Sequence, residues 1–310
     1  MFAPKSFRRL AIPAVSLVLL LTVPVLRGQK QKEKKTKAIP EGTPVLWKEP
    51  ADLASRDLFL GPGGDAMKPD LTKVTFIRDE THGYSKRYRV RDGSGREWVV
   101  KIGKEAQPDT AASRLIWAVG YFTNVDYLAP SVEIQGKGTF KNAEFKARSK
   151  EVKRLGWWDW VDNPFVGSKE LQGLKVLMPL INNWDLKVSN NTILKEADES
   201  RYIVSDVGAT FGKTGNNITH NRDVPKDFAK TRLIKGVRNN IVQFDFHATH
   251  GDILRDVTVD QAKWIGNWLS QLTDQQISDA FRAANYSPEE IGVLTKTVRA
   301  RINELVNLPG

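Results

Sequence analysis

The 310-residue chain contains no cysteine. That excludes disulfides, thiolate metal sites and a cysteine nucleophile. It assigns no compartment, because a chain this long buries enough core to do without cross-links even in an oxidising space. The chain also lacks a basic stripe on its folded part. Its net charge is +11, yet residues 1–45 hold nine Lys/Arg against Glu33 and Glu41, which leaves only +4 for the rest. No nucleic-acid partner is expected, since such binders carry their positive charge on the folded domain. His247 and His250 form an H-x-x-H pair without a strong helix or a nearby third ligand, so zinc is not expected either.

What is present begins with Lys5, Arg8 and Arg9, followed by an apolar run from Leu10 to Leu26. A basic start and an apolar stretch read as a secretory signal, cleaved near Gly28, or as an uncleaved anchor through residues 10–26. Both place the folded part outside the cytoplasm, secreted or periplasmic. The basic residues after the run favour the alternative of an anchored chain with a cytoplasmic domain. The expected division is 1–28 signal or anchor, 29–45 disordered basic linker, and two lobes over 46–165 and 166–310.

From Leu71 the apolar residues alternate. Strands are expected at Val74–Phe76, Arg87–Val90 and Glu97–Ile102, with a turn at His82-Gly83-Tyr84-Ser85 and a hairpin signal at Asp92-Gly93-Ser94-Gly95. Lys101 ends the third strand. A helix capped by Asp109 or Thr110 runs to Gly120. Two further strands, Ser131–Gln135 and Ala143–Arg148, complete five. Trp157, Trp158 and Trp160 either pack the connection between lobes or stack a ligand ring.

Ser168 caps a helix to about Ile181, bent or ended by Pro179. The loop Asn182–Asn191 follows, carrying Asp185, Lys187 and Asn190. A short hairpin, Thr192–Leu194 with Tyr202–Val204, leads to Asp206-Val207-Gly208, with Asp206 21 residues past Asp185. Ala209–Asp256 is long and polar, a solvated face or a receiver for an acidic partner. Three helices close the chain, opening at Thr258, at Thr273 or Asp274, and at Ser287 with its capping box.

The order Lys101, Asp185, Lys187, Asn190, Asp206 resembles the catalytic set of the protein-kinase-like superfamily, nearest its atypical HipA-type and phosphoinositide-kinase-like branches. The resemblance implies an α+β, bilobal fold, with a five-stranded antiparallel first lobe and a mainly helical second. It implies Mg²⁺ and ATP as cofactors and phosphoryl transfer to a hydroxyl of a protein or small molecule. By resemblance, Asp185 orients or deprotonates that hydroxyl and Lys187 neutralises the moving phosphoryl. Asn190 and Asp206 hold Mg²⁺, and Lys101 holds the other phosphates. The turn with Gly83 and Ser85 covers the nucleotide, and Asp109, or else Glu105, pairs with Lys101. The chain departs from the pattern in having one glycine in that turn, Asn183-Trp184 before the acid, and no Ala-Pro-Glu. A catalytically inactive binding module at the cell envelope, built on the same fold, is the competing reading.

Overall fold

The computed structural model describes residues 41–81, 85–149, 151–215 and 219–309. The signal or anchor, most of the linker and Gly83 lie outside the described residues. Among the described residues no helix is long and apolar enough to cross a membrane.

Period-two alternation builds the first half. After β1 (Thr43–Val45) come β2 (Val74–Glu80), β3 (Lys86–Arg91) and β4 (Glu97–Ile102), then α1 (Ala106–Ala118), then β5 (Asp126–Gln135) and β6 (Gly138–Ala147). The five strands β2 to β6 close into a barrel in the order β2-β3-β4-β6-β5. The expected antiparallel lobe is corrected at one seam, where Val74 and Thr75 pair parallel with Ile134 and Gln135. The reason is arithmetic: a closed ring of five strands cannot alternate direction throughout. Tyr88, Val90, Trp98, Val100, Tyr127 and Phe145 fill the barrel. Their neighbours therefore point outward. The register sets Arg87 opposite Lys101, and Lys101 opposite Glu144. α1 packs on this outer face, fixed by the buried Arg114–Asp126 ion pair at 2.6 Å.

The second half contains β7 (Lys153–Gly156), α2 (Lys169–Leu180), β8 (Asn191–Glu196), β9 (Glu199–Val204) and α3 (Pro225–Phe228). Then follow β10 (Ile234–Arg238), β11 (Ile241–Phe244), α4 (Val259–Ser270), α5 (Asp274–Ala283) and α6 (Pro288–Val306). Thr43–Val45, assigned by sequence to the linker, instead pairs parallel with β9 in a sheet of order β1-β9-β8-β7. Ser168 caps α2 by accepting from Leu171 N, and α4, α5 and α6 each open with a capping box. These boxes satisfy backbone N–H groups that the helix leaves unpaired. The polar stretch 209–256 is not featureless: it holds α3 and the β10–β11 hairpin. Trp158 and Trp160 are core residues with ring centroids 4.9 Å apart, while Trp157 is exposed.

Arg301 of α6 is buried and sits under the loop that follows α2. It donates to Pro179 O, Leu180 O and Asn182 Oδ1 at 3.0, 2.7 and 3.1 Å. Carbonyls at the end of α2 thereby find a donor. Asn182 takes φ +54°, a left-handed conformation that asparagine tolerates, and its Nδ2 donates to Gly212 O at 2.8 Å. This clamp sets where Asp185 begins.

Candidate active site

A buried cluster of charge lies where the outer face of the barrel meets α1 and the end of β9. Lys101 Nζ is 2.7 Å from Asp109 Oδ2, 2.9 Å from Asp206 Oδ1 and 3.5 Å from Glu105 Oε2. The helix starts earlier than its expected cap. Glu105 occupies the cap position without a side-chain capping bond, and Asp109 lies inside the first turns of α1. Asp109 is thus free of capping, and its Oδ1 accepts from Val207 N at 3.1 Å. Glu105, the second candidate acid, also bonds Ser85 Oγ and Arg222. Ser85 therefore reaches the cluster through Glu105.

Two members are absent from the motif. Lys146, on β6, donates to the same Asp109 Oδ2 at 2.7 Å and to Ser205 O at 3.0 Å. Glu144, two residues before it, is fully buried, and neither of its oxygens accepts a hydrogen bond. The sequence signal was the alternation of Glu144 and Lys146 with apolar Ala143 and Phe145, which puts both on the face of Lys101 once β6 pairs with β4.

Burial works against the charge on Lys101, but Asp109, Asp206 and Glu144 outweigh it and hold its pKa above the ordinary lysine value. Burial likewise opposes the charge on Asp109 and Asp206, and Lys101 and Lys146 outweigh it, lowering Asp109 and taking Asp206 well below the usual carboxylate range. Glu144 goes the other way. Burial and the neighbouring Asp109 push its pKa well above the ordinary value, against the pull of Lys146, 3.4 Å from Oε1.

The loop after α2 meets this cluster through backbone bonds. Asn190 O accepts from Ser205 N at 2.7 Å and Asp206 N at 3.2 Å, while Asn190 Nδ2 donates to Asp185 O at 2.7 Å. Asp185, Asn190 and Asp206 are so tied into one unit. Lys187 is exposed and lies 3.1 Å from Asp185 Oδ1. Trp184 Nε1 donates to Asn221 O at 2.9 Å, and Thr249 N to Trp184 O at 3.0 Å. Beside Trp184 opens a groove of about 650 Å³ lined by His220, His247, Thr249 and His250. Two of the four histidines named in the sequence as a doubtful metal pair thus belong to this groove. Among the described residues no group of three His, Cys, Asp or Glu could hold a metal.

The donor set Asp206 and Asn190 does suit Mg²⁺ shared with phosphates, because that ion takes one or two carboxylates and completes its shell with phosphate and water. Asn190 commits its amide nitrogen to Asp185 O, which leaves its oxygen for a cation. Asp206 Oδ2 is engaged by Arg87 at 2.7 Å, so a metal has to displace that guanidinium. Gly208 lets the turn after Asp206 approach α1: a Cβ there would come 2.7 Å from Glu105 Cβ and 3.1 Å from Lys101 Nζ.

No family model and no curated protein matches the chain. Among solved structures it is similar to the Helicobacter pylori proinflammatory kinase CtkA, at 10% identity and TM-score 0.46, over 77% of this chain and 94% of that one. It is also similar to the golgi casein kinase, at 8% identity and TM-score 0.39, over 78% of this chain and 74% of that one.

Proposed function

We propose that the chain is a kinase-like phosphotransferase using Mg²⁺ and ATP, with a protein or small-molecule hydroxyl as acceptor. One observation carries this reading: Lys101, Asp109 and Asp206 converge while Asn190 O ties the Asp185 loop to Asp206 N. Phosphoryl transfer depends on positioning and charge neutralisation, and these groups can supply both. Lys101 turns from Asp206 to the nucleotide phosphates, and Asp109 keeps it charged. Asn190 and Asp206 hold the metal, which neutralises charge on the phosphates when bound. The acceptor enters by the groove beside Trp184 and presents its hydroxyl to Asp185, which takes the proton. Lys187 stands next to Asp185 for the moving phosphoryl. We place the domain outside the cytoplasm on the strength of the segment Leu10–Leu26, a point that reporter fusions at the C-terminus decide.

A second reading, a binding module without catalysis, is favoured by the way Arg87 and Lys101 already neutralise Asp206. Thermal melting with and without millimolar Mg²⁺-ATP separates the two. The enzyme reading expects a raised midpoint for the wild type, lost in Asp206→Ala. It expects turnover, but not the shift, to be lost in Asp185→Ala. No shift in the wild type sinks the enzyme reading.

A further inference from the structure

Two arginines, Arg148 and Arg154, lie near the connection between barrel and second sheet. Arg148 continues β6, since its N–H donates to Glu97 O at 3.1 Å. That register puts its side chain on the outer face with Arg89 and Lys146. Its guanidinium bonds only Ala147 O, at 2.9 Å. Arg154, on β7, reaches Thr192 Oγ1 at 3.3 Å. Among the described residues neither forms an ion pair. Other arginines of this face do: Arg87 with Asp206, Arg89 with Glu80, and Arg91 with Glu97. Burial, then Arg154 and Arg89, push the half-buried Arg148 down to about 9, with Glu80 acting the other way. Arg154 is exposed, and the two guanidiniums together present a positive face that suits an anion.

Both side chains line a cavity of about 740 Å³ whose other walls include Trp117, Phe122, Val125 and Leu194. Arg201 also lines it, but is neutralised by Glu196 and Glu199. Glu151, at the wall, pairs with neither Arg148 nor Arg154. Lys101, Asp109, Asp185, Asn190 and Asp206 are not part of this lining. The volume suits a small molecule, and apolar walls with a few convergent polar groups are the usual build of a ligand pocket. Guanidinium forks match carboxylate and phosphate oxygens in pairs.

We propose that this cavity binds a small amphipathic anion, an aromatic or aliphatic body bearing a phosphate or carboxylate, with its charge between Arg148 and Arg154 and its body against Trp117, Phe122 and Leu194. The site adjoins the phosphotransfer cluster, because Thr192 Oγ1, which Arg154 reaches, lies 2.9 Å from Ser205 Oγ, next to Asp206.

The test is calorimetric titration of the full chain with phenyl phosphate, phenylacetate, inorganic phosphate and phenol. Binding of phenyl phosphate or phenylacetate is expected, and whichever binds more tightly identifies the head group. Inorganic phosphate and phenol are expected to bind roughly tenfold or more weakly, because each lacks half of the contacts. Arg148→Gln with Arg154→Gln should weaken the anion by a similar factor, about tenfold, while Lys187→Met leaves it unchanged. If the double variant does not fold, Arg154→Gln alone serves. The proposal is overturned if neither aromatic anion binds, or if phenol or inorganic phosphate binds as tightly. It is equally overturned if the arginine variants bind at full strength, or if Lys187→Met abolishes binding.

Discussion

The ammonium groups of Lys101 and Lys146 bond one and the same oxygen, Asp109 Oδ2, each at 2.7 Å. Asp109 therefore never depends on Lys101 alone. When Lys101 turns to a ligand, Lys146 still compensates the buried carboxylate, and Val207 N still holds its other oxygen. The cluster lends out one cation without stranding an anion.

This sharing makes the two ends of the ion pair unequal. Asp109→Ala takes the nearest counter-charge from two buried lysines, leaving Lys101 with Asp206 and Lys146 with Glu144 at 3.4 Å, and should cost up to about 3–5 kcal/mol. Lys101→Met leaves Asp109 with Lys146 and Asp206 with Arg87, and should cost no more than the usual ~1 kcal/mol of a point substitution. Urea denaturation of both variants measures the difference; equal losses would show that Lys146 does not compensate.

Stability should carry two opposite pH slopes. Asp109 and Asp206 have folded pKa values below their ordinary 3.8, so their contribution is complete above that value and lost as pH falls through the folded values. Glu144 is raised above its ordinary 4.5. The folded chain holds a proton there that the unfolded chain releases, so this contribution declines as pH rises above 4.5, until the folded group itself ionises. Glu144→Gln should remove the decline. Its melting temperature relative to wild type should increase from pH 4.5 upward; a constant difference between pH 5 and 8, on a roughly one-unit grid, would count against a buried neutral Glu144.

Gly208→Ala should close the cleft. The new methyl meets Glu105 O at 2.8 Å as well as Glu105 Cβ, and Glu105 is anchored by Ser85 and Arg222. Overpacking of this kind costs about 1–3 kcal/mol. Melting should show that loss together with a smaller Mg²⁺-ATP shift than wild type, whereas Gly292→Ala, where nothing lies within 4 Å, should leave the shift intact.

Lys187→Met tests the exposed end of the site. The Lys187 side chain is exposed and, among the described residues, pairs with Asp185 alone, so stability should stay within about 0.5 kcal/mol. Turnover of the proposed phosphotransfer should fall by roughly 10²-fold, the loss of one charge-stabilising donor. Unchanged turnover would remove Lys187 from the mechanism.

The sequence by itself determined the local elements. Asp92-Gly93-Ser94-Gly95 dictates its hairpin, Ser168 and Ser287 dictate helix starts, and the alternation around Lys101 dictates a strand, because turns, caps and pleats depend on residues a few positions apart. It also put Lys101, Asp185, Asn190 and Asp206 in order along the chain. It misplaced the start of α1, since Asp109 looks like a cap until Glu105 is seen to occupy that position. Tertiary packing alone set Asp109 against Lys101, gave Lys146 a share in it, and buried Glu144 with Lys146 3.4 Å away and no hydrogen bond among the described residues. Those facts follow from the pairing of β6 with β4 and the closing of the barrel on α1. Strand partners far apart in sequence are chosen by packing, and a single residue of register turns every side chain to the other face. The meeting of Arg148 and Arg154 at one cavity belongs to the same class of fact, because it depends on which strands lie side by side in space.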